Sequence, residues 1–103
     1  MEAEHLGASD DIPSLDAIPV QSWDVRRRRY GEGHWLVRHN EVFEIDAVTD
    51  AVWRACGDRL RLGAIARRVA DELAVPPASM LEPTIGALTM LSDAGLVHFE
   101  HDA

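Results

Sequence analysis

Residues 41–56 read EVFEIDAVTDAVWRAC, and the spacing of their apolar side chains changes partway along. From Glu41 to Ile45 the alternation is that of a strand, with Phe43 and Ile45 on one face and Val42 and Glu44 on the other. From Ala47 onward, Val48, Val52 and Ala55 recur at helical spacing. Asp46 stands at the junction, where its carboxylate can accept from the first free amides of a helix. Residues 88–99, LTMLSDAGLVHF, make the complementary pattern of a helix end, a glycine stop at Gly95 and a last short strand. A strand feeding directly into a helix, and a helix turning directly into a strand, leave room for few small folds.

The rest of the chain fills in between. Residues 21–29 (QSWDVRRRR) read as a first strand, with a glycine-containing turn over residues 30–33. Residues 34–38 (HWLVR) read as a second strand, and His39-Asn40 as a two-residue turn into the third strand at 41–45. That order predicts a three-stranded antiparallel meander. A first helix is expected over 47–56, stopped by Gly57. Leu62, Ile65, Ala66, Val69 and Leu73 set a second helix over 62–73. A third is expected over 78–93, with Leu81, Ile85, Leu88 and Leu91 as its apolar stripe and Ser79 with Glu82 as a capping box. Pro83 fits only a first turn, so two starting points are open for this helix. Residues 96–99 form the last strand. The fold class read from this is α+β: a winged helix-turn-helix with an N-terminal three-stranded antiparallel sheet, three helices and a short C-terminal wing strand.

Residues 1–20 carry Glu2, Glu4, Asp10, Asp11 and Asp16 with no basic residue, and read as a flexible acidic tail before a domain at 21–100. Ile12, Leu15, Ile18 and Val20 also give that tail the apolar residues to cover a groove. The chain lacks the run of about 18 apolar residues that a membrane span requires. Its acidic start lacks the basic and apolar regions of a secretory signal, and its single cysteine, Cys56, has no internal partner. These observations point to the cytosol.

The 103 residues carry a formal net charge of −8, with ten arginines and no lysine. Phosphate repels such a surface. The third helix, ASMLEPTIGALTMLSD, offers no Arg, Lys, Asn or Gln to base edges, which counts against a winged-helix DNA reader. No glycine-rich phosphate loop, CxxC pair or nucleophile–base motif is present, so catalysis is not expected. His34 falls in the opposite strand phase from His39 and Glu41, which argues against metal ligation. No cofactor is called for. Trp35 and Trp53 read as core, and Cys56 as a small buried hydrophobe. The four arginines at 26–29 must alternate between faces; they read as a solvated strand paired with acids, or as a grip on an acidic peptide or enzyme.

The order β-β-β-α-α-α-β with these residues resembles the PqqD-like family of peptide chaperones, also called RiPP recognition elements. The resemblance covers residues 23–99. The family's "vyeLNptaaaIWellDG" is similar to VFEIDAVTDAVWRACGD, with Ile45 for the leucine, Val52 for the isoleucine and Trp53 for the tryptophan. LGAIARRVADEL resembles "tvaeIaraLaeef", and ALTMLSDAGLV resembles "FLxxLxxxGLv". The chain departs from the pattern at several positions. Asp46 replaces asparagine, Gly57-Asp58 reverses Asp-Gly, and Arg61 stands where Ser or Thr caps the second helix. Pro83 replaces an acidic residue and Ala87 a large apolar one.

The resemblance implies a non-catalytic chaperone that binds the leader of a ribosomally made precursor peptide by strand addition. It would present that peptide to a modifying enzyme or leader peptidase. A lasso-peptide partnership with a leader peptidase is the first expectation, and a radical SAM partner the second. The implied edge is Glu41, Val42, Phe43, Glu44 and Ile45, with a groove floor from Val42, Met80, Thr84, Ala87, Leu88 and Leu91. Glu41 and Glu44 either guard that edge from aggregation or select a basic leader residue. A winged-helix DNA-binding regulator and a docking adaptor without leader capture are the alternatives. Neither a nucleic acid nor a membrane is an expected partner.

Overall fold

The computed structural model describes residues 14–100. Eight elements follow in order: β1 (Ile18–Gln21), β2 (Arg26–Tyr30), β3 (Gly33–Arg38), β4 (Glu41–Ile45), α1 (Ala47–Ala55), α2 (Leu62–Leu73), α3 (Leu81–Asp93) and β5 (Val97–Glu100). Short 3₁₀ turns at Cys56–Asp58 and Pro77–Met80 lead out of α1 and into α3. The fold is α+β, with three helices and two sheets. The meander β2-β3-β4 is antiparallel, as its alternation predicts.

Several boundaries differ from the sequence reading. The expected first strand is two strands, split at the Ser22–Val25 turn, where the Val25 amide bonds the Ser22 carbonyl. Strand pairing also begins before residue 21. β1 pairs antiparallel with β5, Ile18 opposite Glu100 and Gln21 opposite Val97, in a separate two-stranded sheet. The last strand therefore joins the N-terminal segment and does not extend the meander. Ile18 and Val20 lie in this strand; Ile12 and the acidic residues up to Asp11 fall outside the described residues.

Chain ends and caps explain these boundaries. Arg61 gives α2 no side-chain cap. The N-terminal strap supplies the missing acceptors, with the Leu62 amide donating to the Ala17 carbonyl (2.9 Å) and the Gly63 amide to the Leu15 carbonyl (3.2 Å). Asp46 caps α1 as expected, accepting from the Thr49 amide at 2.7 Å. The reversal after α1 falls on Arg59, at φ 55°, and not on Gly57. Ser79 does not form a capping box; its hydroxyl donates to the Pro76 carbonyl at 2.6 Å. The α-helix starts at Leu81, which leaves Pro83 in the first turn where it removes no helical hydrogen bond.

One core joins the helices to a single face of the meander. Leu36, Val52, Leu62, Ile65, Val69, Leu88, Leu91 and Leu96 have no exposed surface, and Trp53 is 3 % exposed. Fully burying one such leucine is worth about 2 kcal/mol.

Candidate functional site

The register of the meander assigns every side chain to a face. Leu36 is fully buried and pairs with Arg27 on one side and Phe43 on the other. The row Arg27, Leu36, Phe43 thus faces the helices, and so does the row Arg29, His34, Ile45. The rows Arg26, Val37, Val42 and Arg28, Trp35, Glu44 face away. Phe43 is half-buried and Ile45 buried, while Glu41, Val42 and Glu44 are exposed. The expected split of Phe43 and Ile45 from Val42 and Glu44 is present.

The same register says which backbone groups are free. Two-residue turns close both hairpins, at Tyr30–Gly33 and Arg38–Glu41. A closing pair of that kind exchanges hydrogen bonds, and alternate pairs outward from it do so too. Toward β4, the bonded residues of β3 are Arg38, Leu36 and His34, opposite Glu41, Phe43 and Ile45. Toward β2 they are Gly33, Trp35 and Val37. The two hairpins demand the same alternation along β3. In β4 the amides and carbonyls of Val42 and Glu44 therefore point to the outer edge, where no strand pairs with them among the described residues. In β2 the corresponding outward groups belong to Arg27 and Arg29, and the Arg27 carbonyl accepts from Arg28 Nη1 at 3.1 Å.

Arg38 fixes the start of the β4 edge against α3. Its guanidinium donates to Glu41 Oε1 at 3.0 Å, to the Gly95 carbonyl at 2.8 Å and to the Ala94 carbonyl at 3.2 Å. These carbonyls end α3, so the cation satisfies acceptors that the helix leaves open. Gly95 sits at φ +76°, and a Cβ there would stand 2.9 Å from Arg38 Nη1. The glycine stop read from the sequence is thus also what admits this clamp. Nothing in the sequence alone singled out Arg38; its position next to a predicted turn was the only signal.

The expected groove floor is only partly where it was placed. Val42 is 61 % exposed on the face away from the helices, so it cannot floor a groove between β4 and α3. A one-residue step in a strand moves a side chain to the other face. Thr84, Leu88 and Leu91 have no exposed surface and belong to the core; Met80 and Ala87 retain only 6 % and 7 %. The Thr84 hydroxyl has no hydrogen-bond partner. The surface of α3 shows Glu82, Pro83, Gly86, Met90 and Asp93, with Leu81, Ile85, Thr89 and Ser92 half-buried beside them.

At the β2 edge of the meander, Asp50 of α1 is 1 % exposed and receives two arginines. Arg27 donates through Nε at 2.5 Å and Nη2 at 3.0 Å, and Arg54 through Nε at 3.0 Å. Arg54 also bonds Glu72 of α2. Burial pushes the Asp50 carboxyl up, but the two guanidiniums more than offset it and hold it below the usual carboxylate range. His34 Nδ1 lies 3.4 Å from the same carboxylate without the alignment for a hydrogen bond. Of the arginine run, then, Arg27 is paired with an acid, as the solvated-strand reading expects.

His34 and Glu41 share the helix-facing side, contrary to the phase read across the turn. They sit at opposite ends of the hairpin, His34 opposite Ile45 and Glu41 opposite Arg38, and no group of three metal-ligating side chains forms among the described residues. Burial pushes the Cys56 thiol up to about 12, leaving no thiolate near neutral pH. Among the described residues no helix is long and apolar enough to cross a membrane.

No family model matches the chain, and no curated protein matches it at a significant level. A solved structure does: the solution structure of the PqqD truncation of Methylobacterium extorquens PqqCD, described as a functional and stand-alone RiPP recognition element. The likeness has a TM-score of 0.70 at 21 % identity, covering 84 % of this chain and 94 % of that one. The two chains thus share a fold.

Proposed function

We propose that this protein is a non-catalytic peptide chaperone that captures the leader of a ribosomally made precursor peptide as an added strand beside β4. The observation that carries the reading is the free edge: Val42 and Glu44 turn both their side chains and their unpaired backbone groups outward, on a strand held in place by Arg38. Strand addition uses such groups for affinity and the alternating side chains for choice. The shared fold with a RiPP recognition element supports it. Phe43 and Ile45 face inward from the same strand, so alternate leader residues would meet the border of the core near Phe43. Of the groove residues expected on α3, Met80 and Ala87 keep some surface; Thr84, Leu88 and Leu91 would act from beneath.

The captured peptide would be handed to a modifying enzyme or leader peptidase, with the lasso-peptide type as the first assignment and a radical SAM partner as the second. A cytosolic location accords with this role. The absence of a cation on the exposed face of α3 speaks against DNA reading. The test is a titration with the precursor encoded beside this gene, labelled on its leader, against duplex DNA at moderate salt. The reading predicts leader binding in the nanomolar-to-micromolar range, about −8 to −12 kcal/mol. Tight DNA binding without leader binding contradicts it.

A further inference from the structure

The two glutamates of β4 are not equivalent. Glu41 faces inward and is held by Arg38 at 3.0 Å. Glu44 faces outward, is exposed, and makes no hydrogen bond or ion pair among the described residues. Its cross-strand neighbour is Trp35, and Arg28 stands one strand further on, about 10 Å away at ordinary strand spacing. Its charge is therefore left for whatever lies on its other side. Two residues earlier, Val42 exposes apolar surface next to Val37 on the same outer face.

An added strand extends each outer row by one place. The row Arg28, Trp35, Glu44 gains one peptide residue, and the row Arg26, Val37, Val42 gains another. Val42 and Glu44 also hold the free backbone groups, so the peptide residues meeting them are two apart in either strand direction. Resting on the strand-addition reading, we infer that the captured peptide presents a basic residue to Glu44 and an apolar residue, two positions away, to Val42. This is a selection on the solvent side of the edge, separate from the side chains that turn inward toward Phe43. Opposite charges on adjacent strands attract and like charges repel, so a lysine or arginine at one register of the leader is favoured and an acidic residue there is rejected. An unpaired carboxylate kept only to deter aggregation would need no partner charge, and its removal would not weaken a peptide.

The experiment is a charge-exchange cycle on the full chain. The leader of the precursor encoded beside the gene is titrated into wild type, Glu44→Gln and Glu44→Arg. The titrations are repeated with each basic leader residue changed in turn to Glu. The inference predicts that Glu44→Gln weakens binding about two- to fivefold and Glu44→Arg about tenfold. It also predicts one leader position whose Lys→Glu or Arg→Glu change weakens wild type but restores affinity to Glu44→Arg. The coupling should shrink as salt rises. Leader binding that stays within twofold across all three proteins, with no compensating position, overturns the inference and leaves strand addition standing. No leader binding by wild type overturns both.

Discussion

The meander has two free edges, and they are built to opposite ends. Among the described residues both expose backbone groups that no strand pairs, at Val42 and Glu44 on β4 and at Arg27 and Arg29 on β2, where Arg28 Nη1 covers the Arg27 carbonyl at 3.1 Å. On β2 the residues with free groups turn their side chains inward, and Arg27 is locked onto buried Asp50. The edge is also a run of four arginines, which repels a second cationic strand and is a recognised way to blunt an edge. On β4 the residues with free groups turn outward and meet no partner among the described residues. Of its two carboxylates, the inner one is neutralised by Arg38 and the outer one is left open. An edge becomes a docking site through what its own side chains are already committed to, and not through free amides alone.

The largest effect is expected at the root of the β2 edge. Asp50→Ala leaves Arg27 without its acid and Arg54 with Glu72 alone, and should cost about 3 kcal/mol, read as a lower denaturation midpoint. The partial exposure of both arginines moderates the loss. The same network sets an acid limit. The folded carboxyl of Asp50 is held below its ordinary value of 3.8, so its stabilisation is fully present above that pH and is lost as pH falls through the depressed value. A urea series between pH 7 and pH 2 should show stability falling at the acid end, with a smaller fall in Asp50→Ala.

Proline at matched positions compares the edges directly. Val42→Pro removes an outward amide from β4 and should weaken leader binding about tenfold in a variant that still folds. Arg29→Pro removes the equivalent amide from β2 and should leave leader affinity unchanged. Equal losses from both would abolish the distinction.

Smaller effects concern the supports of β4. Asp46→Ala removes the cap where β4 meets α1 and should cost about 1 kcal/mol by chemical denaturation. Thr84→Val replaces a buried hydroxyl that has no partner with a methyl of the same shape. It should leave leader affinity unchanged, and leave stability unchanged or raise it by about 1 kcal/mol.

Local pattern made much of this fold legible in the sequence. The period change at Asp46 located β4 and α1 because both elements bury one face of a common core, and α2 begins and ends where its apolar stripe does. Non-local pairing was not legible. Nothing in Ile18–Gln21 says that it pairs with Val97–Glu100, some eighty residues later, so an acidic, proline-containing segment read as tail. The same holds for α2, whose missing cap comes from Leu15 and Ala17 and not from a neighbour in sequence. The edge residues 41–45 were legible from alternation. Which of them own free backbone groups depends on register, and that comes from two turns together. On α3 the spacing identified the inward stripe, but a stripe does not distinguish a groove from a core, and Thr84, Leu88 and Leu91 are core.

Amide hydrogen exchange of the full chain, with and without the leader, tests strand addition most directly. The account predicts that the Val42 and Glu44 amides, unpaired in the free protein, slow about tenfold or more when leader is bound, while those of Arg27 and Arg29 do not change. Slowing confined to Arg27 and Arg29, or to the helices with Val42 and Glu44 unaffected, would contradict it.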